Sequence, residues 1–195
     1  DAAAGRFSIT LEDQDVHLAV ERRLTEKLGD LGKRVHVCRS RNDQVAVDLR
    51  LFAKVRLLEA MAAAAELART LVAFAKKHEK VPMVGRTHMQ PAMPSSVGLW
   101  ASAWAESLLD DLALMRTAYE LNDQCPLGSA ASYGVPMPID RQLTSDLLGF
   151  AKPVHNVLHA NQARGKLESI ILAALGQAML TLSRFAQDLI LFSMP

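Results

Sequence analysis

Aromatic side chains make up only 5% of this 195-residue chain. So low a content leaves no aromatic-interleaved basic patch of the kind that binds nucleic acid. Neither sign of charge prevails: the net charge is +1 with acids and bases interspersed, which excludes an extended basic surface. Cysteine is nearly absent. Cys38 and Cys125 stand at no metal-ligand or redox spacing, so a reduced, cytoplasmic protein is expected. His155 and His159 are four residues apart, but no carboxylate or cysteine lies near them at ligand spacing, and no metal site is expected. The N-terminus has neither a basic stretch nor an apolar stretch of the secretory kind. The most membrane-like run, residues 57–75, is broken by Glu59, Glu66 and Arg69, which favours a soluble helix over a spanning one. The chain begins Asp1-Ala2-Ala3-Ala4 without Met and stops at Ser193-Met194-Pro195 after an apolar segment; both ends read as those of a piece of a larger protein.

What the chain does have is alanine, leucine and methionine. Half the residues are hydrophobic, in a mixture that suits helices better than sheets, and the length allows one sizeable core. The expectation is an all-α fold, a single helical domain built as a bundle of long helices. Thr10 and Asp13 read as a capping box opening a first helix, with Val16, Val20, Leu24 and Leu28 at intervals of four and Gly29 at its end. From Asp43 to Val81 there is neither Gly nor Pro. Val45, Val47, Leu49 and Leu51 alternate as in a strand, yet the run continues through the Ala-rich segment 60–65 without a turn signal, and a helix ending at Pro82 is expected. Pro82, Gly85, Pro91 and Pro94 mark residues 82–95 as a loop.

Ser95 or Ser96 then caps a third helix with Trp100, Trp104, Leu108, Leu112, Met115 and Tyr119 on one face. The loop Gly128–Gly134 interrupts it, a short helix covers 140–148, and a last long helix starts near Gln162. Along that helix Leu167, Ile171, Ala174, Ala178, Leu182, Phe185 and Leu189 form a seam with small residues at its centre. Apolar stripes this long need partners, so a homo-oligomer is expected.

Two short motifs carry chemistry. In Arg39-Ser40-Arg41-Asn42-Asp43-Gln44, Arg41 can grip a carboxylate with two parallel hydrogen bonds, beside the hydroxyl of Ser40 and the amide of Asn42. Asp43 or Asn42 can also cap the helix that follows. Alone, such a motif is ordinarily a solvated helix start. The second motif, Gly85-Arg86-Thr87-His88-Met89-Gln90-Pro91, sets a histidine able to exchange a proton near neutral pH between a hydroxyl and an amide. Together they suit proton abstraction beside a carboxylate, where enolate-like charge must be stabilised.

These motifs, with Glu12-Asp13-Gln14-Asp15-Val16-His17-Leu18 before them and Pro126-Leu127-Gly128-Ser129-Ala130-Ala131 after, resemble the argininosuccinate lyase family of the fumarase/aspartase superfamily. The likeness runs in order over nearly the whole chain. The Ser-Arg-Asn-Asp-Gln motif is the specific one; the Thr-His motif is shared across the superfamily. The resemblance implies reversible, cofactor-free elimination of arginine from argininosuccinate to give fumarate. Carried over, Ser40, Arg41 and Asn42 bind the substrate's carboxylates with Thr87 and Gln90 helping. His88 is the catalytic histidine, assisting the leaving group or steering protons rather than acting as base. His17 and Asp43 support the site.

It also implies a homotetramer with each site assembled from three subunits. This chain then contributes two motif regions to different sites and is inactive alone. Some positions depart from the family. Val37-Cys38 stands where Thr-Gly is usual, Arg86 replaces a common tyrosine, and Asn156-Val157-Leu158-His159-Ala160 replaces an Asn-Ser-x-Asp-Ala segment. The family's mobile serine loop, with the serine that takes the proton, and its N-terminal segment are not in this sequence. Gly85-Arg86-Thr87-His88 also resembles adenylosuccinate lyase, which is the alternative enzyme reading; a non-catalytic helical structural protein is the alternative of another class.

Overall fold

The computed structural model describes residues 4–194; the chain ends singled out above, Asp1–Ala3 and Pro195, lie outside them. The described chain is helical, with two small two-stranded sheets. The described residues group into two compact units, 4–49 with 124–164, and 50–123 with 165–194.

In the first unit α1 (Val16–Leu28) starts at Asp15, whose carboxylate accepts from the Leu18 N–H, and stops at Gly29 with φ 61°. Thr10 and Asp13 are bonded, Thr10 N to Asp13 Oδ2 at 2.9 Å and Asp13 N to the Thr10 backbone O at 3.1 Å. The Thr10 hydroxyl, however, donates to Asp13 Oδ2 instead of accepting from Asp13 N, so no capping box forms. The pair closes a turn ahead of the helix rather than opening it. Asp13 is committed elsewhere: Arg22 grips it with Nε and Nη2, both at 2.7 Å. That guanidinium, with the Thr10 N–H next in strength, holds the Asp13 carboxyl far below its ordinary range. The helical turn α2 (Asp30–Lys33) and a 3₁₀ turn at Arg34–His36 lead to the first two turns of α3 (Arg41–Lys77). After residue 123 follow β3 (Gln124–Cys125), α5 (Arg141–Leu147), β4 (Lys152–Pro153) and α6 (Val157–Gln162), with β3 and β4 parallel. Ala19, Val47, Cys125, Phe150, Val154 and Ala160 are buried here.

The second unit holds the rest of α3, α4 (Val97–Asn122) and α7 (Lys166–Ser193). The alternation Val45–Leu51 lies within α3, so the absence of any breaker over 37 residues outweighed the strand-like period. The last long helix, expected to start near Gln162, starts at Lys166: a short helix not expected from the sequence, α6, ends at Gln162, Gly165 takes φ 79°, and α7 begins. Its seam packs as expected. Ala174 and Ala178 meet Met115 and Ala118 of α4, while Leu182 and Phe185 lie against Ala68, Leu71, Ala105 and Leu108. Small residues let the helices approach closely, and dispersion over that contact is the cohesive term. Trp100 donates to Asp188 at 2.9 Å and its ring stacks on Phe185 with centroids 5.8 Å apart.

By length and composition α7 is the one described helix apolar enough to cross a membrane, with 11% of its most apolar window buried. This is α7 and not residues 57–75, the most membrane-like stretch expected from the sequence. Leu172, Met179 and Ile190 lie exposed along α7.

Residues 82–95, expected as a loop, lie in an antiparallel hairpin: β1 (Pro82–Thr87) and β2 (Gln90–Ser96), paired Pro82 with Ser96 through Thr87 with Gln90. Proline argues against a central strand because it lacks an N–H. A two-stranded ribbon is all edge, so Pro82, Pro91 and Pro94 are tolerated. Ser96 then caps α4, accepting from the Leu99 N–H at 3.1 Å.

Close helix approach makes a sharp demand at Gly98, where a Cβ would sit 2.6 Å from Glu79 Cα and 2.7 Å from Ala75 O. Both are backbone atoms that cannot swing aside. Gly98→Ala is expected to destabilise by about 1–3 kcal/mol, as overpacking does, measured as a lower urea midpoint with unchanged slope.

Candidate active site

The Ser40-Arg41-Asn42-Asp43 motif opens α3. Ser40 precedes the first helical residue, and its Oγ accepts from Asn42 N and Asn42 Nδ2, each at 3.3 Å. Ser40 therefore takes the capping role proposed for Asp43 or Asn42. Asp43 instead turns back, and its Oδ1 accepts from Ser40 N at 2.8 Å. Its other oxygen accepts from Gly128 N at 3.1 Å and Ala130 N at 2.9 Å. The side chain is fully buried, at 0% exposure.

The loop it holds is unusual. Gly128, Ala130, Ser132 and Gly134, every second residue, have φ of 88°, 48°, 87° and 75°. Alternating handedness turns successive N–H groups to one side and makes a concave anion nest; the Asp43 carboxylate occupies it. Asn161 fastens the same loop through Nδ2 to Ser132 Oγ at 2.8 Å. Arg141 donates to Leu127 O and Val154 O at 3.1 and 2.7 Å. Asp43→Ala removes the acceptor of three N–H groups, two of them on the loop. Each buried donor left unpaired costs about 1–3 kcal/mol. A total loss of at least about 3 kcal/mol is expected by denaturant unfolding.

Arg41 is not free to grip an outside carboxylate with two nitrogens, as its sequence context suggested. Its Nε forms an ion pair with Asp15 Oδ2 at 2.7 Å and its Nη1 donates to Gln44 Oε1. Nη2 has no partner among the described residues. Leu18 N, and after it the nearby Arg41 and His17 charges, hold the Asp15 carboxyl below its ordinary value, while partial desolvation opposes them. Gln44 Nε2 also meets His36 Nδ1 at 3.2 Å. His17 pairs with Asp48, Nδ1 to Oδ2 at 3.2 Å. Both line a cavity of about 270 Å³ together with Glu21, Arg39, Gln44 and apolar side chains.

Two further side chains join this cluster. Asp15 grips Arg41, and Arg164 Nη1 comes within 3.5 Å of Asn42 Oδ1. Asp15 lies inside the family-like segment Glu12–Leu18 without a local signal of its role, and Arg164 carries none because its neighbour is 122 residues away.

Thr87, His88 and Gln90 belong to the second unit. Thr87 and Gln90 close the hairpin ladder. His88 and Met89 form the two-residue turn with φ of 51° and 61°, the left-handed pair that matches strand twist. Glycine and asparagine usually fill such a turn. A histidine kept there is a strained residue of the kind that clusters at functional sites. His88 is exposed within this unit.

Cys38, where the resembling family has glycine, adopts φ 58°, and its Sγ lies 3.2 Å from Met137 Sδ. The backbone still makes the left-handed turn that glycine takes without strain. Cys38→Gly is expected to raise stability by about 1 kcal/mol, seen as a higher melting temperature.

Comparison with known proteins places the chain in a family. A profile of the family described as lyase matches residues 1–195, and the chain belongs to that lyase family. Argininosuccinate lyase of Parabacteroides distasonis is 45% identical over 192 residues, covering 98% of this chain and 43% of the relative. Argininosuccinate lyase of Thermotoga neapolitana is 42% identical over 191 residues, covering 98% and 48%. The chain thus spans less than half the length of these relatives. Among solved structures, a variant of EDDS lyase with bound fumarate superposes with a TM-score of 0.88 at 29% identity, covering 99% of this chain and 39% of that one.

Proposed function

We propose that this chain forms the central part of an argininosuccinate lyase, which eliminates arginine from argininosuccinate and releases fumarate. The observation that carries the reading is the head of α3. There an arginine is held at two nitrogens with Nη2 left over, in the same helical turn as the Ser40 hydroxyl and the Asn42 amide. That set suits one carboxylate of a four-carbon diacid. The 42–45% identity to curated argininosuccinate lyases and the fumarate held by the similar EDDS lyase variant support the choice of substrate.

In this reading a proton leaves the carbon next to a carboxylate, and the dianion that forms is stabilised by the Ser40–Asn42 cluster, Thr87 and Gln90. His88 assists departure of the guanidinium nitrogen. His17 and Asp43 support the cluster. The proton-accepting serine belongs to a region that this sequence does not include. No cofactor takes part. The enzyme works in the cytoplasm as a homotetramer, and each site draws its α3 head and its His88 hairpin from different subunits. The exposed position of His88 and the apolar face left open on α7 support that sharing.

The test is fumarate release, followed by ultraviolet absorbance, by the full-length protein given argininosuccinate or adenylosuccinate. Turnover of argininosuccinate alone is expected, and His88→Asn is expected to lower kcat about 100-fold or more. Preference for adenylosuccinate, or an unchanged rate in the variant, contradicts the reading.

A further inference from the structure

We infer that Asp15 is a positioning residue that presets the Arg41 guanidinium for the substrate carboxylate, an inference that rests on the reading of Arg41 just given. The two oxygens of Asp15 have separate tasks. Oδ1 accepts from Leu18 N at 2.8 Å and so fixes the carboxylate to the start of α1. Oδ2 lies 2.7 Å from Arg41 Nε. The cap anchors the carboxylate at one oxygen and leaves the other facing Arg41. On the other side, Gln44 takes Nη1 through its oxygen, while its nitrogen meets His36 Nδ1. With one edge against an anion and Nη1 against an amide, the guanidinium has a single orientation, and Nη2 is the nitrogen left for a ligand.

An arginine side chain has many rotamers, and a free one must lose them when substrate binds. Preset by Asp15, Arg41 has already lost them in the folded protein. The residue touches no substrate in this account; it acts through Arg41. The opposite reading of the same contact is a latch, in which Asp15 occupies the place of the substrate carboxylate and must be displaced. The two differ in the sign of the effect on binding.

Asparagine is as good a helix cap as aspartate. Asp15→Asn therefore keeps the Leu18 hydrogen bond but removes the anion from Arg41, and Asp15→Ser is a second capping residue without charge. In the full-length enzyme both variants are expected to keep the parent melting temperature. Both should raise KM for argininosuccinate, and the inhibition constant for fumarate, about three- to tenfold, the cost of immobilising one rotamer-rich side chain. kcat is expected to change less. Arg41→Ala, assayed in parallel, is expected to raise KM further, and combining it with Asp15→Asn is expected to add nothing. An unchanged or lowered KM in the Asp15 variants, with Arg41→Ala still defective, overturns the positioning role and leaves the function intact. If Arg41→Ala leaves KM unchanged as well, the carboxylate reading of Arg41 fails, and the positioning role goes with it.

Discussion

A carboxylate with no exposed surface, Asp43, sets the geometry of the first unit by accepting three backbone N–H groups. One belongs to Ser40, at the start of α3, and two belong to the 128–134 loop. A buried carboxylate without a cation is normally costly. Here the loop supplies compensation through its alternating handedness, which gathers amide dipoles around the charge. Two segments 85 or more residues apart are thereby joined at a fixed register. Ser40, Arg41 and Asn42 take their positions from that joint, since they stand at the helix end it anchors.

Around the joint, charged side chains are assigned one partner after another. Asp13 is taken by Arg22 and Asp15 by Leu18 N and Arg41. His17 pairs with Asp48, and Gln44 bridges Arg41 and His36. Such a network fixes the orientation of the few polar atoms that remain open, which is the requirement for recognising a small anion. The second unit solves a different problem. Alanines at the α4–α7 contact allow close packing, and Gly98 lets α4 start against the end of α3. Its hairpin holds His88 at a tight left-handed turn.

Much of this was legible in the residues. The long breaker-free run, the seam of the last helix and the Ser96 cap follow from periodicity and capping rules that act within a few residues. The hairpin was missed because prolines signal loops wherever strands are flanked on both sides, and a two-stranded ribbon is not. The last helix starts at Lys166, four residues later than expected, because the seam begins only at Leu167 and leaves the residues just before it without a periodic signal. In the site, the residue types were visible but their bonds were not. Asp43 looked like a cap, and only its contact with Gly128 and Ala130 shows it to be the anion in a nest. Arg41 looked free, while Asp15, 26 positions earlier in the chain, had already taken one of its nitrogens. Contacts over such separations leave no periodic trace.

Hydrogen exchange at single amides addresses the central joint most directly. If the Asp43 carboxylate holds the nest, the amides of Ser40, Gly128 and Ala130 should exchange only through global unfolding, as slowly as the buried turns of α3. Exchange of Gly128 and Ala130 at the rate of an open loop, with α3 still protected, would contradict the account.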